Sequence, residues 1–206
     1  MTTNVASLSR FTVPLDGAAS QGMLHPKLKY RFRVTFENFG AKGGPPTTEL
    51  SKQVVSFNRP TIQFEAIDLP TYNSRVYIAG RHAWQTVQCS LRDDASGNVT
   101  KLVGNQLQKQ FDFLEMSSAA SGIDYKFKTR FQILDGGNGA FTPNVLEEWE
   151  MYGCYLENVN YQEMNYGSNE ALTIQMTIKF DNALQVSGLG DNVGRTVGAN
   201  ASGVGG

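Results

Sequence analysis

From Lys27 to Phe36 the chain alternates, with Leu28, Tyr30, Phe32, Val34 and Phe36 interleaved with Lys27, Lys29, Arg31, Arg33 and Thr35. Period two sends successive side chains to opposite faces, so this stretch predicts a half-buried strand. Gly40 to Pro46 ends it with glycines and prolines that strand interiors exclude. Val55 and Phe57, then Ile62, Phe64 and Ala66, predict extended chain on either side of Asn58-Arg59-Pro60, with a bend or bulge at the proline. Leu69 to Arg75 reads as an excursion, and Val76 to Ala79 as a short extended piece before Gly80.

Val87, Cys89 and Leu91 alternate with Thr86, Gln88, Ser90 and Arg92 until Asp93-Asp94-Ala95-Ser96-Gly97 closes the strand. Tyr125, Phe127, Thr129, Phe131 and Ile133 predict another strand, ended by a turn at Asp135 to Gly139. Trp149 to Met164 is a further extended stretch, and Leu172, Ile174, Met176, Ile178 and Phe180 alternate again. One segment changes period. Val99, Leu102, Val103, Leu107, Phe111 and Leu114 recur every three or four residues, predicting an amphipathic helix of about four turns capped by Asn98. Laid on one face of a sheet, it completes a mainly β, antiparallel sandwich or barrel-like domain over 27–182. Residues 1–26 read as an N-terminal arm and 183–206 as a Gly-rich C-terminal arm, mobile until captured.

Composition adds restraint. Charged residues are 18%, below the roughly 25% of an ordinary soluble domain, while glycine is abundant at 21 of 206. Such a chain can hide surface in an assembly. The formal charge of −1 argues against a dedicated nucleic-acid or polybasic membrane binder. No apolar run is long enough for a membrane helix, and the first ten residues lack the basic start and apolar core of a secretory signal. Cys89 and Cys154 lie among apolar strand residues, as buried reduced thiols do.

Candidate chemistry is sparse. His25 and His82 have no Cys or carboxylate at ligand spacing. Asp93-Asp94 lacks the further oxygens of a calcium loop, and Gly188 to Gly194 has the wrong spacing for a phosphate cradle. With no nucleophile motif, the chain reads as a non-enzyme with no catalytic, cofactor or metal residues.

The charges are segregated instead. Lys27, Lys29, Arg31, Arg33, Lys126, Lys128 and Arg130 occupy the polar faces of two predicted strands. Residues 131–178 hold no base, but carry Asp135, Glu147, Glu148, Glu150, Glu157, Glu163 and Glu170. Either the two sets pair on adjacent strands of one subunit, or they match between neighbouring subunits and set the register of an assembly. On the second reading the contact charges are the seven bases with Glu147, Glu148 and Glu150.

From Lys27 to Asn182 the sequence resembles the tail tube proteins of contractile-tailed bacteriophages, the T4-like family. The resemblance is carried by the Leu69-Pro70 excursion, by Val76 to Trp84 leading into the strand that ends at Asp93-Asp94, by the helix after it, by Glu148-Trp149-Glu150, and by the closing strand Leu172 to Asp181. The long Gly40–Pro46 loop and the Gly-rich C-terminus depart from the family's compact form. The resemblance implies a homohexameric ring whose strands join a ring-wide β-barrel. Stacked rings would make the virion tail tube, assembled in the host cytoplasm, through which the viral genome is ejected. The implied partners are further copies of the chain, the tail sheath, baseplate and tape-measure proteins, and double-stranded DNA in transit without sequence-specific binding, with no membrane. The segment matching the family's ring-stacking loop, Ile67 to Arg81, offers Leu69, Pro70, Tyr72, Arg75 and Tyr77 as stacking residues.

Physics agrees with such a closure, which removes exposed strand edges. Six subunits of four strands give a barrel of about 24. At ~4.8 Å between strands and a tilt near 40°, its backbone diameter is about 48 Å, leaving a channel of roughly 35–40 Å. A basic lumen would hold phosphates, so the basic faces should point away from the channel. Thr86, Gln88 and Ser90, or Thr173, Gln175 and Thr177, are then candidates to line it. Two alternatives stand beside this reading. One keeps the fold in a phage-derived contractile injection or type VI-like secretion system that carries effector protein. The other is a monomeric β-sandwich binding module, for which Tyr72, Tyr77 and Tyr166 are the exposed aromatics.

Overall fold

The computed structural model of the chain describes residues 26–40, 47–136 and 143–188. The contacts divide the chain between Arg31 and Phe32. Of the first unit, residues 26–31 are described, and they form a turn in which Arg31 N–H donates to the Leu28 carbonyl at 3.2 Å. The strand expected from Lys27 therefore begins only at Phe32, and Lys27, Lys29 and Arg31 lie off it. The reason lies in the partner strand, which ends at Leu134, one residue past the Phe32–Ile133 pair. Alternation marks where a strand can form, but pairing decides how far it runs.

In the second unit the elements run β1 (Phe32–Glu37), α1 (Thr47–Lys52), β2 (Val54–Phe57), β3 (Ile62–Pro70), β4 (Arg75–Trp84), β5 (Val87–Arg92) and α2 (Asn98–Gln110). They continue with β6 (Phe111–Asp112), β7 (Ser117–Ser118), α3 (Gly122–Tyr125), β8 (Phe127–Leu134), β9 (Val145–Asn160), β10 (Thr173–Lys179) and β11 (Asn182–Gly188). All the pairings are antiparallel, so the mainly β expectation holds.

Strand β9 organises the molecule. Its first part pairs β8 on one side and β11 on the other, with β1 beyond β8. Its last part pairs β10, followed by β5 and β2. The two half-sheets turn apolar faces towards each other, as the stacked rings of Phe57 on β2 and Phe131 on β8 show at 5.3 Å between centroids. Val34, Phe36, Val87, Leu91, Met151, Leu156, Met176 and Ile178 fill the core between them. Cys89 and Cys154 lie there too, and burial pushes their thiols up to about 12 and about 11.

The chain changes half-sheet at Gly153, whose φ of +66° is left-handed. Opposite it, Asp181 joins β10 to β11, its N–H donating to the Tyr152 carbonyl at 3.0 Å and its carboxylate meeting Lys126 Nζ at 2.6 Å. Residues 183–188, assigned to the C-terminal arm by composition, thus belong to the strand Asn182–Gly188, with Ala183 buried in the core. Positions 189–206 and 1–25 lie outside the described residues, as do 41–46 and 137–142. Asp135 and Asn144 do exchange hydrogen bonds at the base of the β8–β9 connection.

The helix is one turn shorter than the periodicity predicts. The Asp112 carboxylate accepts the N–H groups of Leu114 and Glu115 at 2.9 and 3.3 Å, turning the chain out of the helix, and Leu114 is exposed. At the other end Gly97, not Asn98, holds the N-cap position, with no side-chain cap. Asp94 Oδ1 accepts the Val99 N–H at 3.3 Å and Asp93 accepts the Thr100 hydroxyl at 2.9 Å. The acid pair is therefore a helix-start brace.

Two glutamines fasten α2. Buried Gln106 accepts the Gly40 N–H at 3.0 Å and donates to the Tyr125 carbonyl at 2.6 Å. Gln110 accepts the Leu156 N–H at 2.8 Å and donates to the Leu156 carbonyl at 2.9 Å, standing in for a strand on that edge of β9. Gln106→Leu leaves two backbone groups without these partners, and we expect a loss of about 2–3 kcal/mol, read as a lower urea midpoint. An unchanged midpoint would show that the amide is dispensable.

Candidate functional site

The solvent face of the second half-sheet carries no charge at its centre. Ser56 pairs with Ser90, Ser90 with Gln175, and Gln175 with Asn160. In the next row the Asn58 N–H donates to the Gln88 carbonyl at 3.0 Å, Gln88 pairs with Thr177, and Thr177 with Asn158. Two rows of uncharged polar side chains therefore cross β2, β5, β10 and β9, around a shallow depression of about 280 Å³. Alternation makes this possible, because Val87, Cys89, Leu91, Ile174, Met176 and Ile178 take the opposite face into the core.

Of the lumen candidates, Gln88, Ser90, Gln175 and Thr177 share this patch. Thr173 lies just beyond it, opposite Arg92 and on the rim of the 161–172 loop, and Thr86 precedes β5. Ser56, Asn58, Asn158 and Asn160 escaped the sequence reading. Their signal was the polar-apolar-polar run of Asn158-Val159-Asn160, obscured by the irregularity that shifts register between Thr177 and Ile178. Among the described residues the sheet ends at β2 on one side. On the other side of the last part of β9, no strand is present among the described residues.

The basic and acidic residues of β8 and β9 lie on the other half-sheet and pair within the chain. Arg130 reaches Glu150 at 2.8 Å, Glu148 at 3.1 Å and Glu37 at 3.2 Å, and Lys128 reaches Glu150 at 3.0 Å. Glu147 is buried, bonded to Arg59 and to Trp149 Nε1. Arg33 donates to Gln132. The contacts of Lys128 and Arg130 are the adjacent-strand pairs that were the alternative to subunit matching, whereas Glu147 is held by Arg59 from the segment between β2 and β3. Burial alone would raise the Glu150 carboxyl, but hydrogen bonds from Tyr152 and Lys128 and the neighbouring positive charges bring it below its usual value. Glu150 therefore contributes stability above the ordinary carboxylate pKa of 4.5, and that contribution is lost as pH falls through its lower folded value. Glu150→Gln should flatten the acid limb of a stability curve measured by urea unfolding between pH 5.5 and 3. An acid limb of unchanged slope would assign it to other carboxylates.

β3 and β4 form a long two-stranded hairpin, where the sequence suggested an excursion and a short extended piece. Its residues are exposed apart from Trp84, which packs on Phe180 at 5.6 Å, and half-buried Gly80. Ile62, Phe64, Ile67, Leu69, Val76, Tyr77 and Ile78 all present apolar surface, and Tyr72 at the tip is fully exposed. An isolated two-stranded hairpin is marginal in water, so this one calls for a covering surface. The stacking candidates Leu69, Pro70, Tyr72, Arg75 and Tyr77 sit together at its far end, where Arg75 bonds Asp68 at 3.0 Å. His82 lies against Phe64 on the same hairpin. Among the described residues no group of three metal-ligating side chains occurs, and no helix is long and apolar enough to cross a membrane.

Two half-sheets sharing one strand, a flanking helix and a projecting hairpin make a β-rich subunit fold found in contractile injection particles. The chain is similar to one in the cryo-EM structure of the anti-feeding prophage tube-terminating cap, with a TM-score of 0.58 and 16% identity over 82% of this chain and 97% of that one. It is also similar to a chain in the sheath/tube terminator of the extracellular contractile injection system PVC in its extended state, with a TM-score of 0.54 and 15% identity over 81% and 100%. A chain of the anti-feeding prophage baseplate gives 0.53 and 12% over 80% and 97%. No family model and no curated protein sequence matches the chain.

Proposed function

We propose that this protein is a non-enzymatic structural subunit of the tube of a contractile tail or tail-derived injection particle. The four-strand face, uncharged at its centre, carries the reading. Its two polar rows hold no charged side chain, Arg92 and Lys179 lie only at the ends of the same face, and among the described residues the sheet is bounded by β2 and by the last part of β9. Pairing β2 of one copy with that edge of the next continues the sheet, and the polar rows continue with it because Ser56 and Asn58 would neighbour Asn158 and Asn160. Six copies of four strands close a barrel of about 24, wide enough for a DNA duplex or an extended protein cargo. The polar rows would then line the lumen, where amides and hydroxyls hydrate the wall without retaining phosphates by counterion release. Lys128 and Arg130, on the other half-sheet, stay out of the channel. The hairpin would stack ring on ring, and the partners are further copies, sheath and baseplate.

The fold likeness to components of the anti-feeding prophage and PVC particles supports the injection-particle form as much as the phage form. Negative-stain electron microscopy of the purified protein tests the proposal. Sixfold rings or hollow tubes with a channel of about 35–40 Å are expected. A strict monomer at high concentration would instead favour the binding-module alternative.

A further inference from the structure

The second half-sheet has two ends, and each carries a surface that no described residue covers. The β3–β4 hairpin leaves from the end where Val87 pairs with Ile178. The β9–β10 connection, residues 161–172, leaves from the opposite end, where Arg92 pairs with Thr173 and the Asp93 N–H donates to the Leu172 carbonyl at 2.9 Å. About 20 Å of strand separates them.

This connection is long for a link between adjacent antiparallel strands and has no secondary structure of its own, a combination common in functional loops. It folds around an open cleft of about 580 Å³, with Met164, Tyr166 and Leu172 among the lining residues. Tyr166 and Met164 are largely in solvent. The only charges on the loop are Glu163 and Glu170, whereas the hairpin is balanced, with Arg75 and Arg81 against Glu65 and Asp68.

We propose that the 161–172 loop of one copy is the receptor for the β3–β4 hairpin of the next. The inference rests on the tube reading above and names the surface that the hairpin meets. The hairpin's exposed apolar side chains present on the order of 900 Å², taking roughly 200 Å² for each large side chain, which matches one partner's share of a standard interface. Donor and receptor lie at opposite ends of one sheet. Their contact is therefore head-to-tail and does not close on itself in a pair, but propagates as a filament. The thioether of Met164 and the ring of Tyr166 suit the aromatic and aliphatic surface of the hairpin.

Replacing Tyr72, and separately Tyr77, with the photo-cross-linker benzoylphenylalanine in the full chain tests this, with assembled material irradiated and cross-linked peptides mapped by mass spectrometry. At least one position is expected to join a hairpin peptide to residues 161–172 of another copy. The double variant Met164→Asp/Tyr166→Asp, at exposed positions that leave the subunit's circular dichroism unchanged, should raise the concentration needed for assembly about tenfold. Tubes whose cross-links all map elsewhere would overturn the receptor assignment and leave the tube reading intact. A protein that forms no tubes and gives no intermolecular cross-link would overturn both.

Discussion

Gly153→Ala is expected to lower the stability of the subunit by about 2–3 kcal/mol, a fall in Tm of roughly 5–10 °C for a chain of this size. Two costs combine. The backbone at Gly153 has φ +66°, where an alanine loses roughly 1 kcal/mol or more to contact between its Cβ and its own carbonyl. An added Cβ would also stand 2.0 Å from Asp181 Oδ2 and 2.6 Å from its Cγ, so the carboxylate must swing away from Lys126. The Lys126–Asp181 pair is partly exposed and contributes little by itself. The larger penalty comes from repacking the corner where β9 and the β10–β11 connection cross between half-sheets. Differential scanning calorimetry of Gly153→Ala and of Gly153→Ala/Asp181→Ala separates the two costs. The double variant should recover the collision part and keep the backbone part. An unchanged Tm in the single variant would mean that the corner relaxes freely.

The second large effect concerns assembly and leaves folding intact. Excising residues 63–83 and joining Ile62 to Trp84 through a two-residue Asn-Gly turn should preserve the circular dichroism spectrum and shift Tm by less than about 2 °C. Among the described residues the hairpin meets the rest of the subunit near its base, where the Gln85 N–H donates to the Thr61 carbonyl at 2.9 Å and Trp84 packs on Phe180. On the proposed tube, the same excision should convert sedimenting assemblies to single rings or free subunits. Analytical ultracentrifugation reads the change directly. Tubes of normal length from the excised chain would show that stacking resides elsewhere.

Much of the sheet was legible because alternation is a direct record of one buried face. β5, β8 and β10 sit where their apolar residues recur every second position, and the same alternation placed Gln88, Ser90, Gln175 and Thr177 on a common polar face. The signal weakens where that cause is missing. Among the described residues β3 and β4 bury neither face, and the apolar positions change parity between Ala66 and Ile67, so a long hairpin resembled fragments. β2 was read as extended from Val55 and Phe57, but its register shift packs Val54 on the core with Phe57 and leaves Val55 exposed. The helix α1 spans under two turns and left no periodic signal. β11 was hidden by the glycine-rich composition of the C-terminal residues beyond it, although Ala183 and Leu184 enter the structure through pairing with β9. Charge segregation was visible, whereas its resolution into pairs between neighbouring strands required the register of Lys128 and Arg130 against Glu37 and Glu150.

On the proposed tube, the Gln110 side chain would set where a neighbouring copy's strand can dock. By occupying both the donor and the acceptor of Leu156, it leaves the edge of β9 usable only from there towards Asn160. A strand docking there as proposed would meet a fixed stop. Sliding by one residue would turn its apolar face outward, and sliding further would require evicting an amide that already makes two hydrogen bonds. A plug of this kind converts an open template, which any extended chain could extend, into a socket with a defined starting point.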